Sequence, residues 1–96
     1  MSIVIIGGHD RMVCRYKTIC KEFNCDAKVY TQPSGNLENM IGHPHCIILF
    51  TNPISHKMAK IARNTATQNN IPLYQSHNGS GSALRSILGN QIEAEI

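Results

Sequence analysis

The chain has 96 residues, a hydrophobic fraction of 42% and a formal charge of +3. Those totals fit one small globular domain spanning 1–96 and exclude a disordered polymer. No apolar run approaches the ~20 residues that a membrane helix needs. The nine Lys and Arg residues are dispersed, which suits an anionic ligand and gives only weak evidence for a nucleic-acid surface.

Aromatic residues are scarce at 5%, so the core should consist mainly of Ile, Leu, Val, Ala and Met. The first apolar run has no basic residues before it and stops early, unlike a secretory leader. A cytoplasmic protein is therefore expected. A chain this short buries a modest share of its surface, which makes a homodimer an expectation. The four cysteines, Cys14, Cys20, Cys25 and Cys46, match no zinc spacing and read as free thiols. Cys14 is the one candidate for a reactive thiol, since it lies near a helix start between Arg11 and Arg15.

Ile3 to Ile6 form the first strand, which ends in Gly7-Gly8. A helix then starts at His9 or Asp10 and runs to about Phe23. Asp10 suits an N-cap or first-turn position, where a carboxylate accepts unpaired N–H groups. Val13, Tyr16, Cys20 and Phe23 recur at helical spacing and should face the core. Asn24 ends the helix. Ala27 to Thr31 are a second strand, followed by a turn over Gln32-Pro33-Ser34-Gly35-Asn36. A short helix spans Leu37 to Ile41 and is broken by Gly42-His43-Pro44-His45.

Cys46 to Phe50 form the third strand, apolar throughout and so covered on both faces. Pro53 suits the first position of the next helix. Its inward stripe is Ile54, Met58, Ile61 and Thr65, and Asn69-Asn70 close it. Ile71 to Gln75 are the fourth strand, beginning at an edge because Pro72 lacks a ladder donor. Ser76 to Ser82 read as a small-residue loop. A last helix carries Ala83, Leu84, Ile87, Leu88 and Ile92.

Strands alternating with helices imply an α/β fold with a parallel sheet and right-handed crossovers. The most apolar strands, the first and third, belong in the middle. The economical order is 2-1-3-4 with helices on both faces, a Rossmann-like or flavodoxin-like arrangement.

Ligands of such sheets bind beyond the carboxyl ends of the strands, where the strand order reverses. Gly7, Gly8, His9 and Asp10 reach that rim from the first strand. Thr51, Asn52, Ser55 and His56 reach it from the third, and Ser76, His77, Ser80 and Ser82 follow the fourth. Three of the five histidines, His9, His56 and His77, share this rim. Glycines before helix N-termini suit anion binding, although neither glycine stretch matches a P-loop or G-x-G-x-x-G. A single imidazole suits an axial haem ligand, with His9 and His56 as the metal-binding candidates. A serine nucleophile would need a rim histidine as base, and no nucleophile elbow is present. The rim thus reads as a binding site rather than an active site, with no catalytic residue assigned.

IVIIGGHDRMVCRYKTICKEF, ILFTNPISHKMAKIA and IPLYQSHNGSGSAL together resemble the bacterial family called domain of unknown function 2325. The resemblance covers nearly the whole chain and implies a small Rossmann-like module. Its pattern falls on Gly7, Gly8, His9 and Asp10, on Thr51, Asn52, Ser55, His56 and Lys57, and on Ser76, His77, Ser80 and Ser82. A loose association of the family with haem implies haem as the cofactor, with His9 or His56 as axial ligand. The alternatives are a regulatory module for a nucleotide or other phosphate ligand, and an interaction or nucleic-acid adaptor using Lys57, Lys60 and Arg63.

Overall fold

A computed structural model describes residues 1–33, 35–52 and 54–92. Strand β1 (Ser2–Gly7) leads through a 3-10 turn (Asp10–Met12) into helix α1 (Val13–Glu22). Strand β2 (Asp26–Tyr30), helix α2 (Leu37–Ile41) and strand β3 (Cys46–Asn52) follow. Helix α3 (His56–Gln68), strand β4 (Leu73–Asn78) and helix α4 (Gly81–Ser86) complete the alternation, and a π-helical stretch (Ile87–Ile92) extends α4. The four strands pair in parallel in the order β2-β1-β3-β4. This is the arrangement that the apolar patterning predicts.

Side-chain alternation along the two central strands divides the core. Ile3 and Ile5 of β1, with Cys46, Ile48 and Phe50 of β3, meet Tyr16 and Ile19 of α1 and Leu84 of α4. Val4 and Ile6, with Ile47 and Leu49, meet Leu37 of α2 and Met58, Ala59 and Ala62 of α3. Both central strands are buried on both faces over Ile3–Ile6 and Cys46–Phe50, so they need apolar residues there.

The elements differ from the sequence reading in detail. Pro53 and Ser34 lie outside the described residues, as does the side chain of Ile92. Helix α3 starts at His56 rather than near Pro53, with Ser55 as its N-cap: Ser55 Oγ accepts from Met58 N at 3.2 Å. Its buried face is Met58, Ala59, Ala62, Thr65 and Ala66, while Ile54 and Ile61 are only half-buried. The small alanines let the helix lie close to the sheet. Ile19 joins the buried face of α1, and Val13 and Phe23 stand at its margin. Strand β4 begins after Pro72 and continues through Ser76, His77 and Asn78, which read as loop. An edge strand with one wet face needs no apolar residues there, and Ser76 and Asn78 pair with Phe50 and Asn52. None of the four cysteines forms a disulfide with another described residue, and Cys14 is exposed. No helix among the described residues is long and apolar enough to cross a membrane.

The double glycine is fixed by contact with the protein itself. Gly7 has φ 94 and Gly8 has φ 82, in the left-handed region. A Cβ on Gly7 would stand 2.1 Å from the Phe50 carbonyl oxygen. A Cβ on Gly8 would stand 2.4 Å from the Tyr16 hydroxyl oxygen. Gly7→Ala should therefore lower the unfolding free energy by more than the ~1–2 kcal/mol that left-handed backbone alone costs a residue with a Cβ. Gly35→Ala, with open space around the new methyl, should stay within about 0.5 kcal/mol. Urea midpoints at constant m-value measure both.

Candidate functional site

The rim predicted at the carboxyl ends of the strands separates into two places. The first is an open cavity of about 300 Å³ on the α2/α3 side of the sheet. The β1–α1 connection supplies Gly8, His9 and Asp10 to its wall. Thr31, Gln32 and Pro33 after β2 form another side. Ile54, Ser55 and Met58, around the start of α3, form the third and bring the apolar surface.

Asp10 does not cap its own helix. His9 takes that position, with Nδ1 accepting from Arg11 N at 3.5 Å. The Asp10 carboxylate turns instead toward the end of β2. Thr31 Oγ1 donates to Oδ1, and Gln32 Nε2 donates to Oδ2 at 2.7 Å. These two hydrogen bonds, Thr31 first, hold the carboxyl below the ordinary carboxylate value, and the charge of His9 adds to them. Asp10 is therefore a fixed, ionised acceptor at neutral pH. His9 Nε2 has no hydrogen bond among the described residues and belongs to a side chain in the cavity wall.

Helix α3 contributes a second kind of group. Its 13 residues align their peptide dipoles, and the N-terminus carries partial positive charge. Ser55 caps Met58 N, while His56 and Lys57 occupy the exposed first turn. With Met58 N capped, the first-turn N–H groups an anion beside Ser55 would meet are those of His56 and Lys57.

The second place is on the β3–β4 side. Thr51 Oγ1 lies 3.4 Å from His77 Nδ1, and Asn52 Nδ2 lies 3.4 Å from His77 Nε2. His77 thus meets its neighbours on β3 instead of joining His9. Ser76 Oγ donates to Asn78 O at 2.9 Å, and Ser80 N donates to Asn78 Oδ1 at 3.0 Å. Ser80 Oγ caps α4 by accepting from Ala83 N at 3.1 Å. Ser82 is exposed on the first turn of α4. His56 is exposed and is absent from the cavity lining. Among the described residues there is no group of three or more His, Cys, Asp or Glu side chains arranged to hold a metal ion.

Of the twelve residues predicted for the rim, Gly8, His9, Asp10 and Ser55 line the cavity. Gly7 is buried against Phe50 beneath it. Thr31, Gln32, Pro33, Ile54 and Met58 were not singled out by sequence. The order 2-1-3-4 did carry a signal for Thr31 and Gln32: β2 neighbours β1, so its exit belongs to the same crevice.

Parallel order β2-β1-β3-β4 with a crevice at the carboxyl ends defines a Rossmann-like α/β protein. The chain belongs to the family described as an uncharacterized protein conserved in bacteria (DUF2325), which it matches over residues 2–91. A de novo designed Rossmann fold protein is similar in structure, with a TM-score of 0.67 at 15% identity over 97% of this chain and 99% of that one. That likeness concerns the fold alone. No curated protein matches the chain.

Asp10 links the site to stability. Its folded pKa is lowered, so its contribution is fully present above the ordinary value of 3.8 and is lost as the pH falls through the lowered value. Asp10→Asn should melt below the parent protein at neutral pH, and the gap should close under strongly acidic conditions. A gap that widens on acidification would contradict the assignment. Thermal midpoints across the acid range measure it.

Proposed function

We propose that the protein binds a small phosphate-bearing ligand of the nucleotide or sugar-phosphate class in the cavity between β1, β2 and α3. The carrying observation is the pairing of two opposite demands in one wall. Asp10, held by Thr31 and Gln32, accepts hydrogen bonds and so favours ligand hydroxyls. The Ser55-capped start of α3 favours negative charge. A phosphorylated sugar satisfies both ends at once. Ile54 and Met58 offer an apolar surface between them. A volume of about 300 Å³ falls at the lower end of small-molecule sites, which run from ~300 to 1,000 Å³.

Haem is the second reading, favoured by one observation. His9 lies in the cavity wall with no hydrogen bond on Nε2 among the described residues; because Nδ1 accepts from Arg11 N, the neutral ring carries its proton on Nε2, and iron binding there requires that cap to be given up. His9, and not His56, is then the axial ligand. The tautomer that the Arg11 N–H imposes on His9 ranks haem below the phosphate ligand.

Thermal melting with adenosine monophosphate, and a visible titration with haem, separate the readings. At ligand tenfold above Kd, mass action adds about 1.4 kcal/mol. In a domain of this size that raises the Tm by several degrees. Asp10→Asn and Ser55→Ala should each reduce the rise. No rise with the nucleotide or with ribose 5-phosphate contradicts the first reading. A Soret shift that disappears in His9→Ala and persists in His56→Ala supports the second reading in its place.

A further inference from the structure

The sheet of described residues ends in two strands with one partner each, β2 and β4. An edge strand presents unpaired N–H and C=O groups, and proteins guard such edges with charge, proline or a covering element. The β2 edge is guarded in this way. Exposed Lys28 stands within it, and Asp26 at its start pairs with Lys21 at 3.4 Å, on a strand that packs against α1. Strand β4 reads LYQSHN over its 6 residues, with no Lys, Arg, Asp, Glu or proline.

The register identifies which backbone groups of β4 are free. Ile47 faces Leu73, and Ile47 N donates to Pro72 O at 2.9 Å. In a parallel ladder alternate residues turn their backbone groups to the same neighbour, so Tyr74 and Ser76 turn theirs to β3. Leu73, Gln75 and His77 then direct their N–H and C=O groups outward, where no strand of the described residues pairs with them. The side chains of these three lie on the α3 face, since Leu73 packs into the core on that side.

Charge supplies an independent observation. Arg63 Nη2 donates to Gln75 Oε1 at 3.0 Å, which places a cation on the α3 face at the middle of β4. Lys60 stands one turn before Arg63 on the same helix and is exposed. Helix α3 carries no Asp or Glu, and neither cation has a carboxylate partner among the described residues.

We infer that the outer edge of β4 takes up an extended acidic segment of another protein as a fifth strand. Main-chain hydrogen bonds to Leu73, Gln75 and His77 hold the segment. Side chains of an added strand alternate between faces, so every second one stands on the side of Arg63 and Lys60. Carboxylates there are matched, and lysines are repelled. A second copy of this chain fits the same edge less well, because a two-fold axis at Gln75 sets Arg63 beside its own symmetry mate. The edge shares no residue with the phosphate-binding cavity, so the two sites are independent.

The probe is an end-blocked hexapeptide of alternating glutamate and valine, with a lysine–valine hexapeptide as its control. Two-dimensional NMR and amide hydrogen exchange of the full chain at low ionic strength give the readout. The glutamate peptide should shift the Leu73, Gln75 and His77 amides saturably and, at saturation, slow their exchange about tenfold or more. The lysine peptide should leave them unchanged. Arg63→Glu, an exposed substitution, should weaken binding of the glutamate peptide about fivefold. No saturable shift with the glutamate peptide overturns the proposal. So does equal binding of the lysine peptide, or an affinity unchanged by Arg63→Glu. Shifts at these amides that grow with protein concentration alone assign the edge to a second copy and overturn it as well.

Discussion

The contact on which the upper half of this molecule depends is the seat of Tyr16. Its ring is buried on α1 and packs against Phe50, with ring centroids 5.2 Å apart. Its hydroxyl donates to the carbonyl oxygen of Gly79. A buried phenol needs such a partner, and burial also raises its pKa, so it remains a donor at neutral pH. Two backbones crowd that one hydroxyl. A Cβ on Gly8 would come within 2.4 Å of it, and a Cβ on Gly79 within 2.9 Å. The exits of β1 and β4 are thereby fixed to α1 and to each other. The glycines serve that close approach of chain to chain.

The consequence for the site is directional. Gly7 and Gly8 are buried, and the chain emerges into solvent at His9 and Asp10. Asp10 then reaches the end of β2, where Thr31 and Gln32 hold its carboxylate. A residue from the first loop thus supplies the acidic group found beside the second strand. The rim also divides by charge preference. The β1–β2–α3 cavity combines an anionic acceptor with a helix N-terminus, whereas the β3–β4 side holds His77 between Thr51 and Asn52.

Much of the fold was legible because burial on both faces leaves a plain mark. Ile3 to Ile6 and Cys46 to Phe50 carry no polar residue, which placed them at the centre and fixed the strand order. The ends of helices were legible where asparagine adopts left-handed backbone: Asn24 has φ 60 and Asn70 has φ 53. The end of β4 was not legible. Ser76, His77 and Asn78 look like loop, and only pairing with β3 makes them strand. The site was half legible for the same reason. Strand order brought His9, Asp10 and Ser55 toward one crevice, but the Asp10 contacts with Thr31 and Gln32 depend on three-dimensional placement that no local spacing encodes. His56 and His77 fell on the same rim by sequence. Helix phase leaves His56 exposed on α3, and β4 directs His77 to Thr51 and Asn52.

The working face of this rim, on the proposed reading, is the one between β1, β2 and α3. Backbone amide mapping by two-dimensional NMR during an adenosine monophosphate titration tests it most directly. Saturable shifts are expected at Gly8 to Asp10, at Thr31 and Gln32, and at Ser55 to Met58, with His77 and Ser80 undisturbed. Shifts concentrated at Thr51, Asn52, His77 and Ser80, with Asp10 and Ser55 unmoved, would contradict it.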